Sequence, residues 1–443
     1  MNIILFILIN IFSCFFSYLK FSFKRNLPKL DYNNLMENLY INNIYTEIFL
    51  GTPLQKFSFQ IKLNQFPFSI LGEEVQNISI KKFSSSSSST KTIYFNDSTI
   101  EYEDFDFKKG NLLTDIFSLS NSQNNLSEIN NISIFCVTEI NKNYYESGII
   151  GLDIEGDPFK SGYAYETNLI SQLKKRNLIK KETFNFKYIN EDEGILIIGE
   201  YPEYYDSAYK NYTNTAIEHD FVYAKWQVDF SINYNQISLS DTSFTLFEIE
   251  KGFIFGNNIF LEEIQKSFFN YYINNGKCSK ESFNIENKTI IYFVCDKSVK
   301  INKMKELKFI ERRHLNVEFI FTYKDLFYKY KNKIYYLIVF SDDNNWILGK
   351  PFFKKYQLIF DKDKKTIGYY KIYEKGLRGT IFYNKLFYVI IFLLIIIMIL
   401  LYKILFKKNF IFKKIRANEL KENYEYLSET EMEKNKKKGL LIN

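Results

Sequence analysis

Tyr45-Thr46-Glu47-Ile48-Phe49-Leu50-Gly51-Thr52-Pro53-Leu54-Gln55-Lys56-Phe57-Ser58-Phe59-Gln60-Ile61 carries short apolar, aromatic-rich alternation on both sides of a Gly-Thr-Pro break. Period-two alternation with β-branched and aromatic side chains marks strands that bury one face. Gly51 and Pro53 suit a tight turn between two such strands. Short alternating segments split by polar turns continue from Tyr40 to Tyr373, Gly194 to Ile198 among them. The segments that read best as helices are Asn168 to Asn177 and Ile259 to Phe269. The serine run Ser84 to Ser89 reads as a low-complexity surface loop, a disordered insertion. No repeat of about 20–50 residues is visible. The chain reads as all-β.

A length of 443 residues suggests two or three folded units, and 46% apolar residues are enough for sizeable cores. The abundance of Phe, Tyr and Asn is read as compositional bias and not as function. The net charge of +7 gathers near the ends, at Lys20, Lys24 and Arg25 and again from Lys403 to Arg416. The middle mixes both signs, with no basic stripe interleaved with aromatics, which argues against nucleic acid as a partner. The run Ile3 to Phe16 has the length of a signal-peptide core, with cleavage expected near Ser17. A second run, Leu386 to Tyr402, is free of charge and flanked by Lys385, Lys403, Lys407 and Lys408. With its snorkelling lysines it is long enough to cross a bilayer, and the denser positive charge after it places the tail in the cytosol. The expected layout is a signal peptide over 1–17, a short pro or linker segment over 18–39, the folded part, a transmembrane helix over 386–402 and a cytoplasmic tail over 403–443. That layout is a single-pass type I membrane protein of the secretory pathway, at the plasma membrane or an endomembrane, with the folded part luminal or extracellular.

Cys14 falls in the signal peptide, and Cys136, Cys278 and Cys295 remain. In an oxidising compartment an odd count means one pair and one leftover thiol. Sequons at Asn77, Asn96, Asn125, Asn131, Asn211 and Asn287 permit glycosylation there, although an Asn-rich chain also makes them by chance. His219 and His314 are far apart and sit in charged, surface-like contexts, so no zinc cluster and no metal site is expected. Neither a Gly-X-Ser-X-Gly elbow nor a P-loop is present. No cofactor is implied.

Five segments in order resemble the pepsin-like aspartic proteases. Tyr45 to Phe57 is similar to the early strand and turn of that family. Ile100-Glu101-Tyr102 followed by Gly110-Asn111-Leu112-Leu113-Thr114-Asp115 is similar to its flap hairpin. Gly148-Ile149-Ile150-Gly151-Leu152 is similar to the strand beneath its first catalytic loop. Trp226-Gln227-Val228-Asp229-Phe230 is similar to the strand that opens its second lobe. Trp346-Ile347-Leu348-Gly349-Lys350-Pro351-Phe352, then Tyr356, Phe360-Asp361 and Ile367-Gly368, is similar to its C-terminal signature. The resemblance covers about 330 residues and implies a bilobal, double-barrel acid-protease fold, with lobes over 40–202 and 203–373 and one C-terminal transmembrane helix after them. It exposes a duplication, because Ile149-Ile150-Gly151 and Ile347-Leu348-Gly349 have the same form. The family has a disulfide where Cys278 and Cys295 lie, which implies that they pair and that Cys136 stays a buried thiol. The layout is that of the membrane-anchored subset, such as β-secretase or the anchored plasmepsins.

The catalysis that the resemblance implies needs one Asp from each lobe, the two sharing a proton and a water. Each lies in an Asp-Thr/Ser-Gly loop whose hydroxyl bonds across the lobe interface. Counting on from Gly51, the first such loop reads Lys62-Leu63-Asn64-Gln65, and no Asp occurs between Asp31 and Asp97. In the second lobe one frame, ending at Gly256, puts Glu248 at the catalytic position and Glu250 at the glycine. A rival frame uses Asp241-Thr242-Ser243, which is closer to the motif but follows polar Ser240 and loses the downstream glycine. Tyr102 fits the flap tyrosine, and Glu103 and Phe105 stand where flap glycines belong. Lys62 and Glu248 are expected to face each other, the ammonium approaching the carboxylate. The expected function is a membrane-tethered pseudoprotease that binds an extended peptide or protein in its inter-lobe cleft. The alternative is an active aspartic endopeptidase with an atypical site.

Overall fold

The computed structural model describes residues 18–25, 35–65, 67–76, 78–99, 107–120, 126–140, 147–154, 167–206, 209, 215–218, 225–235, 237–238, 244–285, 288–312, 317–342, 345–370 and 432. Two compact units are present, Met1–Ile372 and Tyr373–Asn443. The runs Ile3 to Phe16 and Leu386 to Tyr402, Tyr102, Asp241 and both histidines lie outside the described residues. Among the described residues no helix is long and apolar enough to cross a membrane.

The first unit is built on two sheets, as the alternating pattern predicts. Thirteen described strands form one of them, in the order Thr215–Glu218, Thr366–Tyr370, Gln357–Asp361, Thr183–Tyr188, Glu193–Ile198, Leu19–Arg25, Ile44–Leu50, Gln55–Lys62, Gly148–Gly151, Phe68–Leu71, Leu126–Ile140, Phe107–Ser120 and Thr92–Thr99. Twelve form the other. Its main path runs from Glu318–Phe321 through Leu307–Glu311, Gln227–Tyr234, Phe244–Phe247, Ile347–Leu348, Ile254–Gly256, Ile338–Phe340, Lys288–Asp296 and Lys333–Tyr336 to Phe327–Tyr330. Gly51 and Pro53 fall in the turn between Ile44–Leu50 and Gln55–Lys62, which pair antiparallel.

Three features differ from the sequence reading, each for a visible reason. Leu19–Arg25 falls in the stretch read as a pro or linker segment, yet it is a strand inserted between Glu193–Ile198 and Ile44–Leu50. Its alternation buries Phe21, Phe23 and Arg25 and exposes Lys20, Ser22 and Lys24. Gln357–Asp361, late in the chain, joins the first sheet by pairing with Thr183–Tyr188, and Thr366–Tyr370 follows by pairing with Gln357–Asp361. Phe360 stacks on Phe184 at 4.9 Å, and both rings meet Trp226 edge-on, so one core runs through both halves. The serine run is ordered and not a disordered insertion. Ser85–Ser87 is a short helical turn, Gln55 exchanges two hydrogen bonds with the Ser84 backbone, and Ser88 Oγ accepts from Thr52 N at 3.0 Å.

Both helical readings hold. Leu169–Lys175 is capped by the Asn168 side chain, which accepts from Ser171 N. Asn258–Ile264 is capped by Asn257 and continues through a wider turn, Gln265–Phe269, into Asn270–Asn274. Cys278 and Cys295 sit opposite each other in an antiparallel hairpin and form a disulfide, and Cys136 is a buried free thiol. Burial pushes that thiol up to about 12, which keeps it protonated and unreactive.

Candidate active-site cleft

The duplication visible as two Ile/Leu-Gly segments is repeated in the hydrogen-bond register. In the first half Gln55–Lys62 runs parallel to Gly148–Gly151, with Ile61 opposite Ile150 and Lys62 opposite Gly151. In the second half Phe244–Phe247 runs parallel to Ile347–Leu348, with Phe247 opposite Leu348, and Glu248 N donates to Leu348 O. The strand after each turn pairs back on the same partner, Phe68 with Ile150 and Ile254 with Leu348. Lys62 therefore occupies the place in the first half that Glu248 occupies in the second. Two turns of equal length follow, Leu63-Asn64-Gln65 and Ile249-Glu250-Lys251.

Each turn is fixed by its own half. Leu152 N donates to Lys62 O at 2.9 Å and Asp153 N to Gln65 O at 3.0 Å. Lys350 N donates to Lys251 O at 2.8 Å. Gly349 is needed there, because a Cβ on it would lie 2.2 Å from Phe253 O and 2.4 Å from Lys251 O. At the turn tips the side chains of Leu63 and Ile249 are buried and apolar. The resemblance implies hydroxyls at these places, reaching across the interface. The crossing acceptor is Glu250 instead, whose Oε1 takes the Leu63 N–H at 2.7 Å.

A third segment closes on the second turn. Helix Leu35–Tyr40 packs Met36 and Tyr40 on Phe253, Phe255, Ile290 and Val339. Gly252 N donates to Tyr40 O, and Asn42 N to Glu250 O at 2.7 Å. Asn42 Nδ2 donates to Ile249 O at 2.8 Å and to the Tyr188 hydroxyl. A Cβ on Gly252 would sit 1.6 Å from Leu39 O, so only glycine admits the segment. Arg25 anchors the helix from below by donating to the Asn38 and Ile41 carbonyls.

Three carboxyl groups line this region, and all are displaced toward the protonated form. Burial raises Glu248, against the charges of Lys251, Lys225 and Lys288 and a hydrogen bond from Asn64. Burial, aided by Glu248, raises Glu250 to about 7, against its own backbone N–H, the Leu63 N–H and Lys62. Burial raises Asp153 to about 8, with Glu250 adding to it and the Ile154 N–H, Lys362 and Lys225 opposing. Glu250 is half-buried as a residue, but its Oε2 is covered and has no hydrogen-bond partner among the described residues. On the far side, burial and Arg25 lower Lys350 to about 8, with Glu191 and Asp192 opposing.

The structure brings Lys62, Glu248, Asn64 and Glu250 into one electrostatic neighbourhood. The Lys62 charge acts on Glu250, while three other lysines answer Glu248. Sequence reasoning missed Asp153. Its only signal was a carboxylate directly after Gly151-Leu152, beneath the first turn. Sequence reasoning also saw Glu250 as a lost glycine and not as a cross-half acceptor. Among the described residues no group of His, Cys, Asp and Glu is arranged to hold a metal ion.

The eukaryotic aspartyl protease family model matches residues 43–372, which takes in both turns and every described strand except Leu19–Arg25. Comparison with curated proteins gives no match.

Proposed function

The chain belongs to the eukaryotic aspartyl protease family, and within it we propose a membrane-tethered member that has lost the catalytic dyad and binds an extended peptide or protein segment between its two halves. The observation that carries the reading is the equivalence in register of Lys62 and Glu248, neither of which is Asp. The family reaction needs two carboxyl groups, one from each half, that share one proton and deprotonate a water. A lysine ammonium has donors but no acceptor, so it cannot take the proton of that water. It also favours the ionised form of a nearby carboxylate, which works against a shared proton. The scaffold around the turns is kept, and a cleft flanked by sheets can hold a strand-like ligand through main-chain hydrogen bonds and side-chain pockets.

A second reading has one observation in its favour. Glu248 and Glu250 stand in a single turn and are both raised, which is the state a general acid requires. Both come from the same half, however, where the family's pair comes from two. A peptidase assay on the purified protein at acidic pH tests the choice. We expect no cleavage that responds to an aspartic-protease inhibitor, together with saturable binding of unstructured peptides. Inhibitor-sensitive cleavage overturns the pseudoprotease reading. Tethering rests on the run Leu386 to Tyr402. Protease protection on intact vesicles tests it, and a shielded tag after Asn443 with digested lobes would reverse the proposed topology.

A further inference from the structure

We propose that Glu250 is a proton-dependent latch between the two halves: its carboxyl holds the Leu63–Gln65 turn against the Ile249–Lys251 turn while it carries a proton, and lets the turns part when it ionises. The inference rests on the cross-half contact alone and does not depend on whether the cleft takes a peptide.

The geometry supplies both states. Oε1 is engaged by the Leu63 N–H at 2.7 Å, while Oε2 is covered and has no hydrogen-bond partner among the described residues. A neutral carboxyl bears this at lower cost, because one oxygen accepts and the covered one carries an unpaired O–H but no charge. An ionised carboxyl strands charge on a covered oxygen with no donor, which is costly. Parting the two turns admits water to that oxygen and removes the cost.

The surroundings decide which charge state the closed form prefers. On its own turn Glu250 has Glu248, which repels a second charge, and Lys251. From the first half it faces Lys62, which attracts it, and Asp153, whose charge opposes it. From the segment over the turn come the Asn42 amide, on the Glu250 carbonyl, and the Tyr188 phenol behind it. Lys225 is shared between Glu248 and Asp153. Burial and Glu248 outweigh Lys62 and the N–H donors of Glu250 and Leu63, and the carboxyl is held up to about 7. The Leu63–Gln65 turn stays with its own half through Leu152 and Asp153, so releasing Oε1 parts the two turns locally and unravels neither the turn nor the core that Phe184, Trp226 and Phe360 share.

The test is amide hydrogen exchange at residue resolution on the purified full-length chain. Protection is expressed relative to the intrinsic rate at each pH. We expect the protection of the Leu63 amide, taken as a ratio to that of the Gln227–Tyr234 amides so that a global loss of stability cancels, to fall at least tenfold between about pH 5.5 and about pH 8.5. Glu250→Gln keeps an acceptor that cannot ionise, so this ratio should be equal at both pH values. An unchanged ratio in the wild type overturns the latch. So does a pH-dependent fall of the ratio that persists in Glu250→Gln.

Discussion

The backbone N–H of Leu63 donates to Oε1 of Glu250 over 2.7 Å, joining two turns that lie 187 residues apart in the chain. Leu63 is buried, so its amide has no ready substitute in water. Glu250→Ala should therefore cost about 1–3 kcal/mol of unfolding free energy. Glu250→Gln should cost less at about pH 5 and should stabilise the protein at about pH 8.5, where the wild-type side chain is ionised and its contact with Leu63 is given up. Denaturant unfolding of both variants at the two pH values measures this.

Glu250 and Asp153 both have folded-state values above their ordinary ones. The folded chain thus keeps protons that the unfolded chain gives up. This contribution is fully present below the unfolded values of 4.5 and 3.8 and is lost as the pH rises to about 8. Asp153 is 7% exposed, and its share is on the order of 3–5 kcal/mol when fully developed. Thermal melting across that window should show falling stability. Asp153→Asn, which keeps an acceptor for the Ile154 N–H, should flatten the slope.

Gly252→Ala should dislodge the segment that lies over the second turn. The added Cβ meets the Leu39 carbonyl at 1.6 Å, a distance that backbone cannot absorb without moving. Limited proteolysis should then cut within residues 35–43 faster than in the wild type, with the two sheets intact by circular dichroism.

Restoring both carboxylates with Lys62→Asp and Glu248→Asp should leave peptidase activity at or near background. On the proposed reading Asn64 and Glu250 still stand where the resemblance implies loop glycines, and buried, apolar Leu63 and Ile249 where it implies cross-interface hydroxyls. Inhibitor-sensitive turnover by this double variant would show that the two carboxyl groups alone suffice.

Removing the Cys278–Cys295 bridge as Cys278→Ser with Cys295→Ser should cost about 2–3 kcal/mol. The strands still pair from Cys278 opposite Cys295 to Ile285 opposite Lys288, so the hairpin should persist at reduced melting temperature.

The sequence by itself determined the sheet-rich class, the paired Ile/Leu-Gly segments and the absence of an Asp at the first turn, because each is written in local alternation, spacing or residue type; which two cysteines pair was implied only by the resemblance. The resemblance put Lys62 and Glu248 at corresponding positions only by counting from Gly51 and back from Gly256, with Asp241 as a rival; that the two positions follow matching parallel strand pairs is a matter of register. Only the tertiary structure decided that Leu19–Arg25 is an inner strand, that Gln357–Asp361 joins the first sheet and that helix Leu35–Tyr40 lies on the second turn. It alone turned Glu250 from a misplaced glycine into the acceptor for Leu63, and Asp153 from an unremarked carboxylate into a buried one raised to about 8. The reason is that a carboxyl group's charge depends on the water it loses and the charges it meets. At these turns both come from segments that chain order keeps far apart.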